Sequence, residues 1–86
     1  MLKVYAAQWC PHCRRTVDYL RSKNIPFTYY EIEEQKPDVI KTIVRVNGGD
    51  DWVVPTLEFN GKWRPGEVFN EAKLAKDLRG MGVTSE

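Results

Sequence analysis

The sequence predicts an α/β domain in which three helices flank a four-stranded mixed β-sheet. A strand–helix–strand pattern opens the chain and implies two parallel strands joined by a right-handed crossover. The Asn60-Gly61 pair, a strong turn signal, adds an antiparallel hairpin. The chain of 86 residues suffices for one domain and is too short for two, so we expect a single domain over residues 1–86.

The first strand is followed directly by a helix. Residues 2–6 form a short β-prone segment, which is typical of a strand. Pro11 suits the first position of a helix. The apolar stripe of this helix, at i, i+4 and i+7, is Cys13, Val17 and Leu20. The helix should end near Asn24, which tolerates a left-handed cap, and Pro26 prevents its continuation.

A second strand and a second helix follow. Residues 27–32 are rich in aromatic and β-branched side chains, as strands are. Pro37 and Asp38 open the helix, one at its first position and the other as an acid in the positive first turn. The apolar stripe of this helix is Ile40, Ile43 and Val44. Residues 47–51 carry the composition of a loop.

The last elements are a hairpin and a third helix. The hairpin pairs residues 55–59 with residues 62–64. The helix begins after Asn70, where Phe69 before the cap and Leu74 in the first turns form a hydrophobic staple. Its expected buried stripe is Leu74, Leu78 and Met81, and its expected end is Gly80.

Composition and charge exclude several classes of protein. The formal net charge is +1, with 13 basic and 12 acidic residues mixed along the chain, so nothing favours nucleic acid or an anionic membrane. No apolar run approaches the ~20 residues of a membrane span. The N-terminal segment fits a strand rather than a signal peptide. We therefore expect a cytoplasmic protein that acts as a monomer.

Two cysteines, Cys10 and Cys13, stand at the predicted strand-to-helix turn. The loop between them is too small for a disulfide to stabilise the fold much, so the pair suits thiol–disulfide chemistry. Cys10 should cap the helix, where unpaired N–H groups and the helix dipole favour the reactive thiolate. Cys13 lies on the buried stripe, which makes its ionisation costly. The pair predicts an exposed nucleophile, Cys10, and a shielded resolving thiol, Cys13.

Pro11 and His12 lie between the cysteines and can modulate them. A partly cationic His12 would favour the Cys10 thiolate, and an exposed His12 of no consequence is the alternative. A Cys-x-x-Cys motif can also be half of a metal site, but zinc needs about four ligands. The chain has one histidine and no third cysteine, so a zinc or iron–sulfur carrier would have to dimerise through the motif or recruit an external thiol. We predict no metal.

Several segments together resemble the glutaredoxin family. They are the strand before the cysteines, the Cys-Pro-His-Cys centre at 10–13, the Val54-Pro55 pair and the Asn60-Gly61 turn, and the likeness spans nearly the whole chain. Residues 46–49 are similar to those of mycoredoxins, which are bacterial glutaredoxin-like proteins. The resemblance implies a thioredoxin-like fold, a cis Val54–Pro55 peptide, and a dithiol enzyme that reduces protein or mixed disulfides.

The same resemblance implies a substrate groove beside the cysteines. The backbone of Val54 would pair with an extended thiol substrate, as in strand addition. We expect Trp9 and Trp52 to form an apolar lip for that substrate, with Val53 and Pro55 in the groove. Trp63 is expected to pack within the protein.

The sequence indicates the electron donor less clearly than the cysteine motif, because the chain departs from the pattern of the glutathione-using members of the family. Glutathione-using members often carry a cation three residues before the first cysteine, where this chain has Ala7. They commonly place Gln or Arg shortly before the Val-Pro pair, where this chain has Asp50 and Asp51. We expect no bound cofactor, and a small thiol (glutathione or another) or a flavin-dependent reductase as donor. A redoxin driven by thioredoxin reductase, which supplies ribonucleotide reductase, is the alternative.

Overall fold

The computed structural model describes residues 1–84 and has the elements in the predicted order. They are β1 (Leu2–Ala6), α1 (Pro11–Ser22), β2 (Phe27–Glu31), α2 (Pro37–Val46), β3 (Thr56–Phe59), β4 (Lys62–Arg64) and α3 (Glu71–Met81). A short 3₁₀-helix, Ile32–Glu34, lies between β2 and α2. None of the helices in this described part is long and apolar enough to cross a membrane.

The strands form one four-stranded mixed sheet, as predicted, and their order is β2-β1-β3-β4. β1 runs parallel to β2 and antiparallel to β3, which pairs antiparallel with β4. The register sets Ala6 opposite Glu31 and Tyr5 opposite Thr56. The end of β1, the end of β2 and the start of β3 therefore meet at one edge of the sheet. Since α1 begins just after β1, the cysteines lie at this edge.

The core contains the apolar stripes predicted for α1 and α3. Their buried members are Cys13, Val17, Leu20, Leu74, Leu78 and Met81. Of the α2 stripe, Ile43 is completely buried, whereas Ile40 and Val44 are only half-buried. Tyr5 stacks on Trp63 with 6.0 Å between ring centroids, so Trp63 is a packing residue, as predicted.

Two element ends differ from the prediction. β2 ends at Glu31 rather than at residue 32, because Ile32 turns into the 3₁₀-helix and buries its side chain in the core. α3 does not end at Gly80 but continues to Met81, which is buried. Gly82 then caps the helix in the left-handed conformation, with a φ of 90°.

Candidate active site

Cys10 is the N-cap residue of α1, as predicted. Its Sγ accepts the backbone N–H of Cys13 at 3.3 Å. Pro11 occupies the first helical position, where its missing N–H costs no hydrogen bond. Both cysteines are free thiols. The helix start therefore directs an N–H donor and the positive end of its dipole at the Cys10 sulfur, which favours the thiolate.

The predicted exposure of Cys10 is wrong. Its side chain is only 6% exposed, whereas that of the preceding Trp9 is 60% exposed. The reason is the cap itself, because the sulfur turns back towards the helix and packs with the core cluster.

Cys13 is the shielded member of the pair, as predicted, and only 1% of it is exposed. Burial, followed by the hydrogen bond that its thiol makes with Cys10, raises the pKa of Cys13 to about 12. A hydrogen bond from the Ala7 backbone lowers this pKa, and the negative charge of Glu31 adds a smaller increase. The buried thiol of Cys13 therefore resists ionisation.

His12 makes a contact that the sequence did not predict. Its Nδ1 accepts the backbone N–H of Phe69 at 3.0 Å, across 57 positions of the chain. Through this bond the side chain ties the cysteine motif to the segment before α3. Modulation of the cysteines by His12 stays a prediction.

A buried arginine anchors that segment. Arg64 is 5% exposed, and its Nε donates to Oδ2 of Asp77 at 2.7 Å. Its Nη2 lies 3.5 Å from Oε1 of Glu67. Lys73 contacts both carboxylates. These ion pairs fasten residues 65–70 to α3, and the segment supplies two backbone N–H groups to the site.

The Val54–Pro55 peptide is cis, which confirms what the family resemblance implied. Pro55 is buried, Val54 is half-buried, and Val53 is 42% exposed. The Thr56 hydroxyl donates to the Val53 carbonyl at 2.6 Å and fixes the turn from below. Among the described residues, neither the N–H nor the C=O of Val54 has a hydrogen-bond partner.

Two residues that sequence reasoning missed hold this turn in place. The Asn47 amide Nδ2 donates to the Thr56 hydroxyl at 3.0 Å, and its Oδ1 accepts the Gly66 N–H at 2.7 Å. A Cβ on Gly66 would lie 2.5 Å from Cγ1 and 2.8 Å from the carbonyl carbon of Val53. Glycine is therefore required at 66 for the backbone to approach the turn.

The two tryptophans have different surroundings. Trp9 donates from Nε1 to Oε1 of Glu33 at 2.6 Å, which holds its ring towards the 3₁₀-helix after β2. Trp52 is half-buried and packs against the core, just before the Val53–Pro55 turn. No contact in the described part of the chain joins the two rings, and a shared apolar lip stays a prediction.

A carboxylate at the end of β2 was also missed by the sequence reasoning. Oε1 of Glu31 accepts the Gln8 N–H at 3.1 Å and the Tyr29 hydroxyl at 3.2 Å. The other oxygen, Oε2, is buried and has no hydrogen-bond partner in the described structure. Burial, followed by the charge of Glu31, raises the pKa of Tyr29 to about 12, so its hydroxyl keeps its proton and donates.

A cavity of about 360 Å³ lies on this side of the motif. Its lining residues are Ala7, Gln8, Cys13, Arg14, Val17, Asp18, Arg21 and Tyr29. Both donors to Glu31, Gln8 and Tyr29, therefore share the cavity with the resolving cysteine. Ala7 is completely buried, so the position at which glutathione-using relatives often carry a cation is part of the core in this chain.

The cysteine that caps a helix and the cis-proline that opens the neighbouring strand define a thioredoxin-like fold with a thiol–disulfide redox site. The glutaredoxin family model matches residues 2–63. The chain belongs to the glutaredoxin family, and membership supports a thiol–disulfide redox function.

Individual relatives agree with this assignment. A glutaredoxin-like 8.6 kDa protein of a rubredoxin operon in Clostridium pasteurianum, itself uncharacterized, is 30% identical over 78 residues, or 88% of this chain and 95% of that one. The glutaredoxin of Archaeoglobus fulgidus has a TM-score of 0.71 at 28% identity, covering 92% of this chain and 86% of that chain. Buckwheat glutaredoxin, solved with glutathione, has a TM-score of 0.66 at 21% identity, covering 98% and 81%. The predicted fold and family are confirmed.

Proposed function

We propose that this chain reduces protein or mixed disulfides through a Cys10–Cys13 dithiol/disulfide cycle. The observation that carries the proposal is the asymmetry of the pair, with Cys10 at the helix cap and the proton held on buried Cys13. The Cys10 thiolate attacks a disulfide, forms a mixed disulfide and releases one thiolate. Cys13 then attacks the Cys10 sulfur, expels the second thiolate and leaves an intramolecular disulfide.

The free backbone groups of Val54 suggest how the substrate binds. An extended segment beside the disulfide can donate to the Val54 carbonyl and accept from its N–H, which adds one strand-like pair to the site. The partly exposed side chain of Val53 offers apolar contact next to it. The substrates we propose are therefore disulfides carried on an extended peptide or a peptide-like thiol.

Two electrons from a donor must restore the dithiol after each cycle. We propose a small thiol or a flavin-dependent reductase as that donor. The buckwheat relative binds glutathione, which makes glutathione the first donor to test. The cycle requires a reducing compartment such as the cytoplasm, where dithiols persist.

Trapping of the mixed disulfide tests the proposed roles of the two cysteines. Incubation of Cys13→Ser with a glutathionylated peptide should accumulate a stable adduct on Cys10, because no second thiol can expel it. Cys10→Ser should form no adduct and lose exchange activity to the background rate. Mass spectrometry of both variants, with the double variant as control, measures this. An equal yield of adduct on Cys13 in Cys10→Ser would reverse the assignment.

A further inference from the structure

We propose that Glu31 accepts the thiol proton of Cys13 when Cys13 attacks the mixed disulfide on Cys10. The inference rests on the proposed function above and assigns a residue to its resolving step. It starts from one oxygen, Oε2 of Glu31, which is buried and lacks any partner in the described part of the chain. A buried carboxylate oxygen without a partner is costly, so a native protein that keeps one calls for an explanation.

The position of the carboxylate is fixed by its other oxygen. The β1–β2 register places Glu31 beside Ala6, four residues before Cys10. Oε1 is held by the Gln8 N–H and by the Tyr29 hydroxyl. These two donors stabilise an ionised carboxylate and leave the lone pairs of Oε2 free to receive a proton.

The resolving cysteine is the group that needs an acceptor. Only a thiolate attacks a disulfide. Burial is the largest cause of the raised pKa of Cys13, and it persists when Cys10 is bound in a mixed disulfide, so the thiol resists ionisation at neutral pH. Resolution at neutral pH is therefore slow unless a base removes the proton as the sulfur attacks.

The cavity places Cys13 together with the two residues that donate to the Glu31 carboxylate. Cys13 lines it from α1, and Gln8 and Tyr29, the two donors to Oε1 of Glu31, line it as well. The negative charge of Glu31 also raises the pKa of the Cys13 thiol. The remaining charged groups of the cavity wall are Arg14, Asp18 and Arg21, all from α1, and Asp18 is exposed.

The step balances in protons and electrons. The Cys13 proton passes to Oε2 of Glu31, directly or through cavity water, as the Cys13 sulfur forms its bond to the Cys10 sulfur. The bond between Cys10 and the substrate sulfur breaks, and its electron pair leaves with the substrate thiolate. Both cysteines are oxidised to the disulfide and the substrate is reduced. Glu31 then returns its proton to the departing thiolate or to solvent.

A single-turnover experiment with dithiobis(nitrobenzoate) separates the two steps. Attack by Cys10 releases one coloured nitrothiolate, and resolution by Cys13 releases a second in a slower phase. Glu31→Gln keeps an oxygen for the two donors but cannot take the proton. Between pH 5 and 9 we expect its first phase to be unchanged and its second phase to be roughly 10²-fold slower at pH 7. Glu34→Gln, the same chemical change at an exposed position of the 3₁₀-helix that follows β2, is the matched control and should behave as the native chain does.

Whether Glu31→Gln slows or accelerates the second phase distinguishes a Glu31 that acts as a base from one that acts only as a nearby negative charge. A carboxylate that only repels the thiolate slows resolution, so its removal would accelerate the second phase. An unchanged or faster second phase in Glu31→Gln overturns the proposal. If the native chain releases no second nitrothiolate, the proposed dithiol cycle itself fails.

A second variant tests the same role of Glu31 even if Glu31→Gln does not fold. Tyr29→Phe removes one donor to Oε1 and leaves the carboxylate in place. A carboxylate that has lost one of the two donors that position it is a less well placed acceptor, so the second phase should slow while the first is unchanged. An unchanged second phase in folded Tyr29→Phe contradicts the role of Glu31.

Discussion

The two sides of the cysteine pair differ in chemistry. Towards β2 lies the Glu31 carboxylate with the Tyr29 hydroxyl that donates to it, and Tyr29 lines a cavity that it shares with Cys13. Towards β3 lies the Val53–Pro55 turn, with apolar side chains and, among the described residues, no hydrogen-bond partner for the Val54 backbone. Under the two proposals made above, the β2 side would take the proton of the resolving thiol and the β3 side would bind the substrate chain.

The two sides are also held by different means. On the β2 side, the sheet register alone brings Glu31 next to Ala6. On the β3 side, no strand pairing reaches Val54, and the turn depends on Asn47 and Gly66 from other segments. We therefore expect the β3 side to be the more sensitive to substitutions outside the motif.

The largest expected effect concerns the electron donor on the β3 side. Asp50 and Asp51 are exposed in the loop before the turn, where a donor with a free carboxylate would meet two like charges. A carboxylate deprived of one charge-assisted partner loses about 1.5–3 kcal/mol, which corresponds to about ten- to a hundredfold in affinity. We expect weak saturation by glutathione and better turnover with a less acidic thiol or a reductase. Steady-state kinetics with each donor measures this.

Asp50→Lys should improve kcat/KM for glutathione by about tenfold, because it replaces repulsion by attraction. Asp38→Lys makes the same change of charge at the exposed start of α2 and serves as the control. If glutathione saturates the native protein with a low KM, and neither variant changes kcat/KM, the donor does not approach past this loop.

The next prediction concerns the contact that holds the Val53–Pro55 turn in place. Gly66→Ala places a methyl group 2.5 Å from Cγ1 of Val53, so the turn or the 65–70 segment must shift. We expect a loss of about 1–3 kcal/mol in the free energy of unfolding, as for other overpacked sites, and slower reaction with peptide disulfides. Urea denaturation and the rate of peptide reduction provide the two readouts.

Gly80→Ala is the matched control for this variant. Its Cβ would meet nothing within 4 Å, and the residue lies in α3. Alanine in a helix is favoured over glycine, so this variant should be as stable as the native chain or more stable by about 0.5–1 kcal/mol. Equal destabilisation by both changes would rule out a specific contact between Gly66 and the turn.

A further effect concerns the free energy of unfolding at high pH, on the β2 side. The pKa of Cys13 is about 12 in the folded chain and lower in the unfolded chain, where the thiol is solvated. Below pH 8 both states keep the proton. Between pH 9 and 11 only the unfolded state loses it, so the free energy of unfolding should fall by up to about 1.4 kcal/mol per pH unit.

Urea denaturation of the reduced protein, compared with Cys13→Ala across this pH range, isolates the contribution of that thiol. Tyr29, whose pKa is also raised to about 12, acts with the same sign in both proteins and largely cancels. Parallel pH dependences would show that the thiol of Cys13 is no harder to ionise in the folded chain than in the unfolded one.

Local features of the sequence were enough to predict much of the fold and the cysteine motif. The apolar spacing of α1, Pro11 after Cys10, and the Asn60-Gly61 turn each act over a few residues, and the structure confirms the elements that they predicted. The end of α3 was misplaced because Gly80 and Gly82 are equally good terminators locally, and the burial of Met81 decides between them.

The rest of the site depends on contacts between distant segments. Glu31, Glu33 and Glu34 look alike in the sequence, and only the β1–β2 register turns Glu31 towards the cysteines. The hydrogen bond at Nδ1 of His12 comes from an N–H donor far along the chain, at Phe69. The inward turn of the Cys10 sulfur was foreseeable from its capping role, which already required the sulfur to face the helix.

The Asn47 side chain also bears on the order in which the site is assembled during folding. Its amide bridges the end of α2, the start of β3 and the segment after β4, over separations of 9 and 19 residues. The Cys10–Cys13 hydrogen bond spans three residues and forms with the first turn of its helix. Since long-range contacts close more slowly than local ones, we expect the Cys10 cap to form before Asn47 joins these three segments. If the proposed function holds, a partly folded molecule would then react with disulfides before it could select among them.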